Sequence, residues 1–73
     1  MSIAEYLTIG RARELILQRF TRHTRVPRWK IINHVEAAHG RLSANEKQIV
    51  DDALRSLRER GLADNPEWGY WSF

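Results

Sequence analysis

The segment from Ile49 to Tyr70 constrains the fold more than any other part of the chain. Its first half places apolar residues at spacings i, i+3, i+4 and i+7, namely Val50, Ala53, Leu54 and Leu57. This spacing puts the four side chains on one face of an amphipathic helix. Gly61 follows where a left-handed residue would end that helix. The segment therefore predicts a helix that stops at a glycine and continues into a short antiparallel hairpin.

The start of this third helix has its own signature. Ser43 and Glu46 have the spacing of a capping box, in which each side chain binds the backbone N–H of the other residue. The helix is therefore predicted from about residue 43 to residue 60. Along its exposed face, spacings of four residues predict a row of ion pairs formed by Lys47, Asp51 and Arg55.

Two further helices are predicted before it. The first runs from about residue 3 to residue 20, and its inward stripe consists of Ala12, Leu15, Ile16 and Phe20. Gly10 marks either a kink or the end of a separate short helix over residues 2–7. The second runs from about residue 27 to residue 39, ends at Gly40, and turns inward Ile31, Ile32, Val35 and Ala38. An amino-terminal apolar cluster either covers the core or makes a dimer contact, and comprises Ile3, Tyr6, Leu7 and Ile9.

The β structure is predicted to be small. Val26 is expected to form a short first strand. The hairpin is predicted as a strand over residues 62–64, a turn over residues 65–68 and a strand over residues 69–73. Alternation places Trp71 and Phe73 on one side, facing the third helix, and Tyr70 and Ser72 on the other.

Length and composition bound what such a chain can do. With 73 residues and no cysteine, it is expected to be a single domain over residues 1–73 that depends on packing alone. No signal peptide and no apolar stretch of about 18 residues is found in the sequence. We therefore expect a soluble, cytoplasmic protein with no membrane partner.

The positive charge is concentrated at one end. Residues 1–30 contain seven Lys and Arg against two acids, a balance of +5, whereas residues 31–73 contain five against seven, a balance of −2. A basic patch of this kind favours binding to a polyanion. Arginines that only solvate a small protein are the alternative interpretation.

The residue pattern argues against an enzyme. The chain has no cysteine, no glycine-rich phosphate loop and no serine in a nucleophile elbow, and Asp51 and Asp52 are adjacent, so their side chains diverge on a helix. His34 and His39 are five residues apart, which is the wrong spacing for one helix face, and His23 lies elsewhere. We therefore expect no catalytic site, no metal and no cofactor.

The predicted order of helix, strand, helix, turn, helix and hairpin resembles the winged helix-turn-helix superfamily. The pattern Val50…Ala53-Leu54…Leu57…Gly61-Leu62 resembles the recognition helix of multiple-antibiotic-resistance-type repressors. The segment from Val26-Pro27-Arg28-Trp29-Lys30-Ile31 through Trp71 is also similar to amino-terminal DNA-binding modules of some restriction endonucleases. The expected fold class is thus mainly α with a small β-hairpin, a three-helix core carrying a two- or three-stranded wing.

The resemblance implies residue roles. The third helix would lie in the DNA major groove, with base contacts from Asn45, Lys47, Gln48 and Asp51. The basic segment before it would hold phosphates through Arg22, Arg25, Arg28 and Lys30. The wing of this chain, residues 64–68, contains no Lys or Arg, which differs from wings that grip DNA.

Two functional hypotheses follow. The first is a double-stranded DNA-binding transcriptional or mobile-element regulator, with homodimerisation through the amino-terminal segment as an option. The second is a protein–protein interaction module, a subunit of a larger complex or a phage-type inhibitor, whose partner surface is formed by Asp51, Asp52, Trp68 and Tyr70. Trp29, Trp68 and Tyr70 either cap edges of the core or form an exposed patch for a protein or for stacking on bases. RNA or single-strand binding is a further option.

Overall fold

The computed structural model describes residues 6–73. These residues form three helices and a three-stranded antiparallel sheet. The elements in chain order are α1 (Ile9–Phe20), β1 (Val26–Pro27), α2 (Arg28–His39), α3 (Ala44–Glu59), β2 (Asp64–Glu67) and β3 (Tyr70–Ser72). The strand order in the sheet is β1-β3-β2, so the short strand before α2 pairs with the second strand of the hairpin. The mainly helical fold class with a small hairpin is therefore confirmed.

Helix α1 begins later than the sequence predicted. Thr8 is its N-cap, and its hydroxyl accepts a hydrogen bond from the Arg11 backbone N–H at 3.1 Å. Gly10 lies in the first turn, so it marks neither a kink nor a helix end. Leu7 precedes the cap in non-helical conformation and is buried, whereas Tyr6 is exposed. Leu7 thus covers the core, while the rest of the predicted short helix and Ile3 lie outside the described residues.

Helix α2 lies close to its predicted range. Pro27 is its N-cap rather than its first residue, and Gly40 ends it with φ of 115°, a value that favours glycine. The inward residues Ile31, Ile32 and Val35 are buried as predicted. Ala38 is exposed instead, because the buried face of α2 narrows in its last turn where the chain leaves the core.

Helix α3 has the predicted caps at both ends. The capping box between Ser43 and Glu46 is complete, with the Glu46 N–H donating to Ser43 Oγ at 3.2 Å. At the other end, Gly61 has φ of 74° and donates to Arg58, and the Leu62 N–H donates to the Leu57 carbonyl at 2.9 Å. This pair of bonds is a Schellman motif.

The Glu46 carboxylate also joins distant parts of the chain. It accepts the Leu7 backbone N–H at 3.0 Å, the Ser43 N–H at 3.1 Å and a contact from His39 Nε2 at 3.1 Å. The hydrogen bond from Leu7, followed by that from Ser43, lowers the pKa of Glu46 to about 2. Glu46 therefore ties the residues before α1 and the end of α2 to the start of α3.

A single apolar core lies between the three helices and the sheet. All the predicted inward residues of α1 and α3 belong to it. Phe20 of α1 stacks on Phe73, with ring centroids 6.1 Å apart, and Trp71 packs against the same core. Both side chains therefore pack against the core, but Phe73 contacts α1 and not the third helix as predicted. None of the helices within residues 6–73 combines the length and apolar character that crossing a membrane requires.

The hairpin differs from its prediction in where it turns. Residues 65–67, which were predicted as turn, belong to β2, and the loop consists of Trp68 and Gly69 alone. Pro66 is tolerated because β2 is an edge strand and the pairing between Asp64 and Glu67 is irregular. Gly69 has φ of 84° at the second loop position, where a type II turn needs glycine.

Candidate nucleic-acid interface

The basic segment, residues 21–27 between α1 and α2, is fixed against the hairpin by backbone hydrogen bonds. The Phe73 N–H donates to the His23 carbonyl at 2.8 Å, and the Arg28 N–H donates to the Gly69 carbonyl at 2.9 Å. Between them, the Arg25 N–H donates to Ser72 Oγ at 3.3 Å. The backbone of this segment is therefore held in place although most of it has no regular secondary structure.

Arg28 links α2 to the middle of α3. Its guanidinium donates two hydrogen bonds to the Asp51 carboxylate, Nε to Oδ1 at 2.7 Å and Nη2 to Oδ2 at 2.9 Å. This fork geometry is the strong form of an Arg–carboxylate pair. The bond to Asp51 raises the pKa of Arg28 above its usual value, despite the opposing effect of burial. A predicted phosphate contact and a predicted base contact thus bind each other.

The predicted ion-pair row on α3 is wrong at Asp51. Its carboxylate pairs across the structure with Arg28, not along the helix with Lys47 or Arg55. The bidentate geometry that Arg28 reaches from α2 is more favourable than an i, i+4 contact between flexible exposed side chains. Lys47 and Arg55 are exposed, and no ion pair within residues 6–73 involves them.

Arg25 is held by the hairpin. Its Nη2 lies 3.3 Å from Glu67 Oε2, and its guanidinium carbon lies 5.3 Å from the centre of the Tyr70 ring. Both Arg25 side-chain contacts are at the surface, where the ion pair is weak. Arg22 and Lys30, the other predicted phosphate contacts, are exposed and take part in no ion pair within the described part of the chain.

The exposed side of α3 carries more positive charge than the site prediction assigned to it. Asn45, Lys47 and Gln48 are exposed near its start, as the predicted base contacts require. The Gln48 side chain donates to Asp52 Oδ1 at 3.2 Å, so the second acidic residue is also engaged. Two exposed arginines were missed by the site prediction, Arg55 and Arg58. Their positions outside the buried stripe could have identified them.

An open cleft lies where α2, α3 and the hairpin meet. Its volume is about 410 Å³, and its lining residues are Arg28, Asp51, Asn65, Trp68, Gly69 and Trp71. The Asn65 side chain is committed to the hairpin, since its amide donates to the Glu67 and Tyr70 carbonyls. The cleft therefore has indole walls and one ion pair on its rim.

The aromatic residues separate into two groups. Trp29 is 63% exposed and Trp68 is 95% exposed, so the interpretation that they cap edges of the core is wrong for both. Trp29 lies off the inward face of α2, and Trp68 lies in the loop between β2 and β3. Tyr70 is half-buried beneath Arg25.

Each histidine interacts with a nearby group. His34 Nε2 lies 3.1 Å from the Leu15 carbonyl, and the rings of His34 and Phe20 meet edge to face. His39 contacts Glu46, and His23 Nδ1 lies 3.3 Å from the Thr21 carbonyl. Within residues 6–73, no three side chains of the types His, Asp and Glu are grouped so that they could hold a metal ion.

Comparisons with known protein families, with curated proteins and with solved structures found no match to this chain.

Proposed function

We propose that this chain is a winged helix-turn-helix protein that binds double-stranded DNA and regulates transcription or a mobile element. The order of its helices and strands supports the proposal, as does the pairing of the short strand β1 with the hairpin. In such a fold the third helix enters the major groove, and the residues around it hold the phosphate backbone. The hairpin would then be the wing.

The observation that carries this proposal is the junction at Arg28. Its side chain binds Asp51 of α3, and its backbone N–H binds Gly69 of the hairpin loop. These bonds bring the basic segment before α2 next to both the exposed side chains of α3 and the hairpin tip. A sequence-distant group of positive charges therefore flanks α3, whose exposed Asn45, Lys47 and Gln48 suit base edges.

The charges on this surface favour a polyanion. Five exposed basic side chains on the basic segment, α2 and α3 take part in no ion pair within residues 6–73, namely Arg22, Lys30, Lys47, Arg55 and Arg58. The nearby carboxylates of Asp51 and Asp52 are each engaged by a neighbouring side chain. The repulsion of phosphates by Asp51 is thereby reduced, since Arg28 neutralises its charge.

The proposed contacts follow from these positions. Arg22, Arg25 and Lys30 would bind phosphates, whereas Arg28 would remain paired with Asp51. Asn45, Lys47 and Gln48 would face base edges, where an amide suits adenine and a lysine suits guanine. Asp51 would act mainly by holding Arg28.

A salt series tests the proposal directly. Binding of a labelled random duplex should weaken with salt with a logarithmic slope of about −2.7 if these three phosphate contacts form. Lys30→Ala should reduce the steepness of that slope by about 0.9. Arg11→Ala is the matched control, because it removes one exposed arginine from α1, where Arg11 pairs with Glu14. A slope near zero, or equal effects of the two variants, would refute DNA binding by this surface.

The protein–protein interaction module is the second candidate. The observation that favours it is Trp68, which is 95% exposed. The rest of its predicted surface is less available, because Asp51 and Asp52 are engaged and Tyr70 is half-buried. A module of this kind would be insensitive to Arg25→Ala and would lose its partner on Asp51→Lys or Tyr70→Ala.

A further inference from the structure

The position of Trp68 in the hairpin loop keeps its side chain exposed. It is the first residue of the two-residue loop between β2 and β3, and 95% of its surface is accessible. The positive φ of Gly69 closes the loop directly behind it. The indole therefore projects from a two-residue turn, while large aromatic side chains are usually mostly buried in small proteins.

The cleft behind Trp68 provides further aromatic surface. Trp71 forms part of its wall, and the Arg28–Asp51 pair lies on its rim. A volume of about 410 Å³ falls in the range of small-ligand clefts, roughly 300–1,000 Å³. A flat ring system that stacked on Trp68 would thus have an arginine and a carboxylate within reach of its polar edge.

The surroundings of Trp68 favour a nucleic-acid base over an apolar protein surface. Its neighbour Glu67 is paired with Arg25, and the Arg28–Asp51 pair lines the same cleft, so charged side chains border the apolar surface of the two indoles. Protein docking sites generally expose a contiguous patch of several hundred Å². Aromatic side chains combined with adjacent cations are instead typical of surfaces on which bases stack.

We propose that the hairpin tip binds an unpaired base, which stacks on Trp68 at the mouth of the cleft, so that the preferred target is DNA containing an unpaired nucleotide. This inference rests on the proposed DNA-binding function. In an intact duplex only base edges are accessible from the grooves, and an indole has no base face to cover. The basic segment would hold the flanking phosphates, which explains a wing that contains a tryptophan but no Lys or Arg.

The test compares two labelled duplexes that differ only in one unpaired base, measured by fluorescence anisotropy at fixed salt. Stacking on one aromatic residue is worth about 1–3 kcal/mol, or roughly a 5- to 150-fold preference for the duplex with the unpaired base. Trp68→Ala should abolish that preference and leave the affinity for the intact duplex unchanged. Trp68→Phe should retain part of it.

Trp29→Ala is the matched control, since Trp29 is also exposed but does not line the cleft. It should leave the preference unchanged. Equal affinity of the wild-type chain for both duplexes would overturn the inference and leave the proposed function intact. A preference that survives Trp68→Ala would also overturn the inference. Equal affinity for the two duplexes is the result expected if Trp68 instead docks a protein. Failure to bind either duplex would overturn the proposed function together with the inference.

Discussion

Replacing Asp51 with asparagine should lower the stability of the fold slightly and raise its affinity for DNA. The substitution keeps the size of the side chain and removes its charge. In the structure the Asp51 carboxylate accepts two hydrogen bonds from Arg28, at 2.7 and 2.9 Å. An amide oxygen accepts a weaker bond, so Arg28 would be free to bind a phosphate.

The loss of stability should be small because the pair is partly exposed. The side chains of Arg28 and Asp51 are 45% and 32% accessible. Exposed ion pairs contribute about 0.2–1 kcal/mol, and the bidentate geometry places this pair towards the upper end. For a domain of this size, a loss of up to about 1 kcal/mol lowers the melting temperature by no more than roughly 4–8 °C.

The gain in affinity should depend on salt. One additional phosphate contact makes the logarithmic salt slope steeper by about 0.9, which is roughly an eightfold gain for each tenfold reduction in salt. The assay is a duplex titration at several salt concentrations, combined with thermal unfolding of both proteins. Asp52→Asn is the matched control, because Asp52 is the adjacent carboxylate but binds Gln48.

If Asp51→Asn weakened DNA binding or left it unchanged across the salt series, the release of Arg28 to a phosphate would be refuted. Weaker binding would mean that Asp51 contacts a base directly, as the resemblance of the sequence implied. An equal gain in DNA affinity for Asp52→Asn would show that the cause is general repulsion between carboxylates and phosphates and not the release of Arg28.

Four further predictions concern the fold. Leu54→Ala should cost about 2–5 kcal/mol in unfolding free energy, because Leu54 is fully buried in the core, whereas Arg55→Ala beside it should cost little, as chemical denaturation would show. Ser43→Ala should cost about 1 kcal/mol by loss of the N-cap, and a melting temperature equal to that of the wild type would contradict the capping assignment. Gly61→Ala should cost about 1–2 kcal/mol, since φ of 74° strains any residue with a Cβ, and an unchanged denaturation midpoint would argue against the glycine stop. Because hydrogen bonds lower the pKa of Glu46 to about 2, the stability it contributes should be complete above pH 4.5 and lost as the pH falls towards 2; melting temperatures of wild type and Glu46→Gln should therefore converge over this interval, and parallel curves would disprove the linkage.

The sequence alone was sufficient for features set by local interactions. The ends of α3 were predictable because the capping box spans three residues and the glycine stop acts within one turn. The inward stripes of α1 and α3 were predictable because helical periodicity determines which residues share a face. The glycine that ends α2 belongs to the same class.

Contacts between distant residues required the tertiary structure. The partner of Asp51 is Arg28, 23 residues away. Local spacing does not show that Asp51 pairs with Arg28 and not with Lys47 or Arg55, which lie on the same helix as Asp51. The hydrogen bond from Leu7 to Glu46 spans 39 residues and fixes where the chain enters α1.

The position of the hairpin turn also depended on tertiary pairing. Asn65-Pro66 has the composition of a turn, yet pairing with β3 places these residues in an edge strand and leaves Trp68 at the tip. Helical periodicity and capping patterns depend on one segment at a time, whereas a candidate binding surface is formed by side chains from several segments. These side chains come together only when the whole core packs.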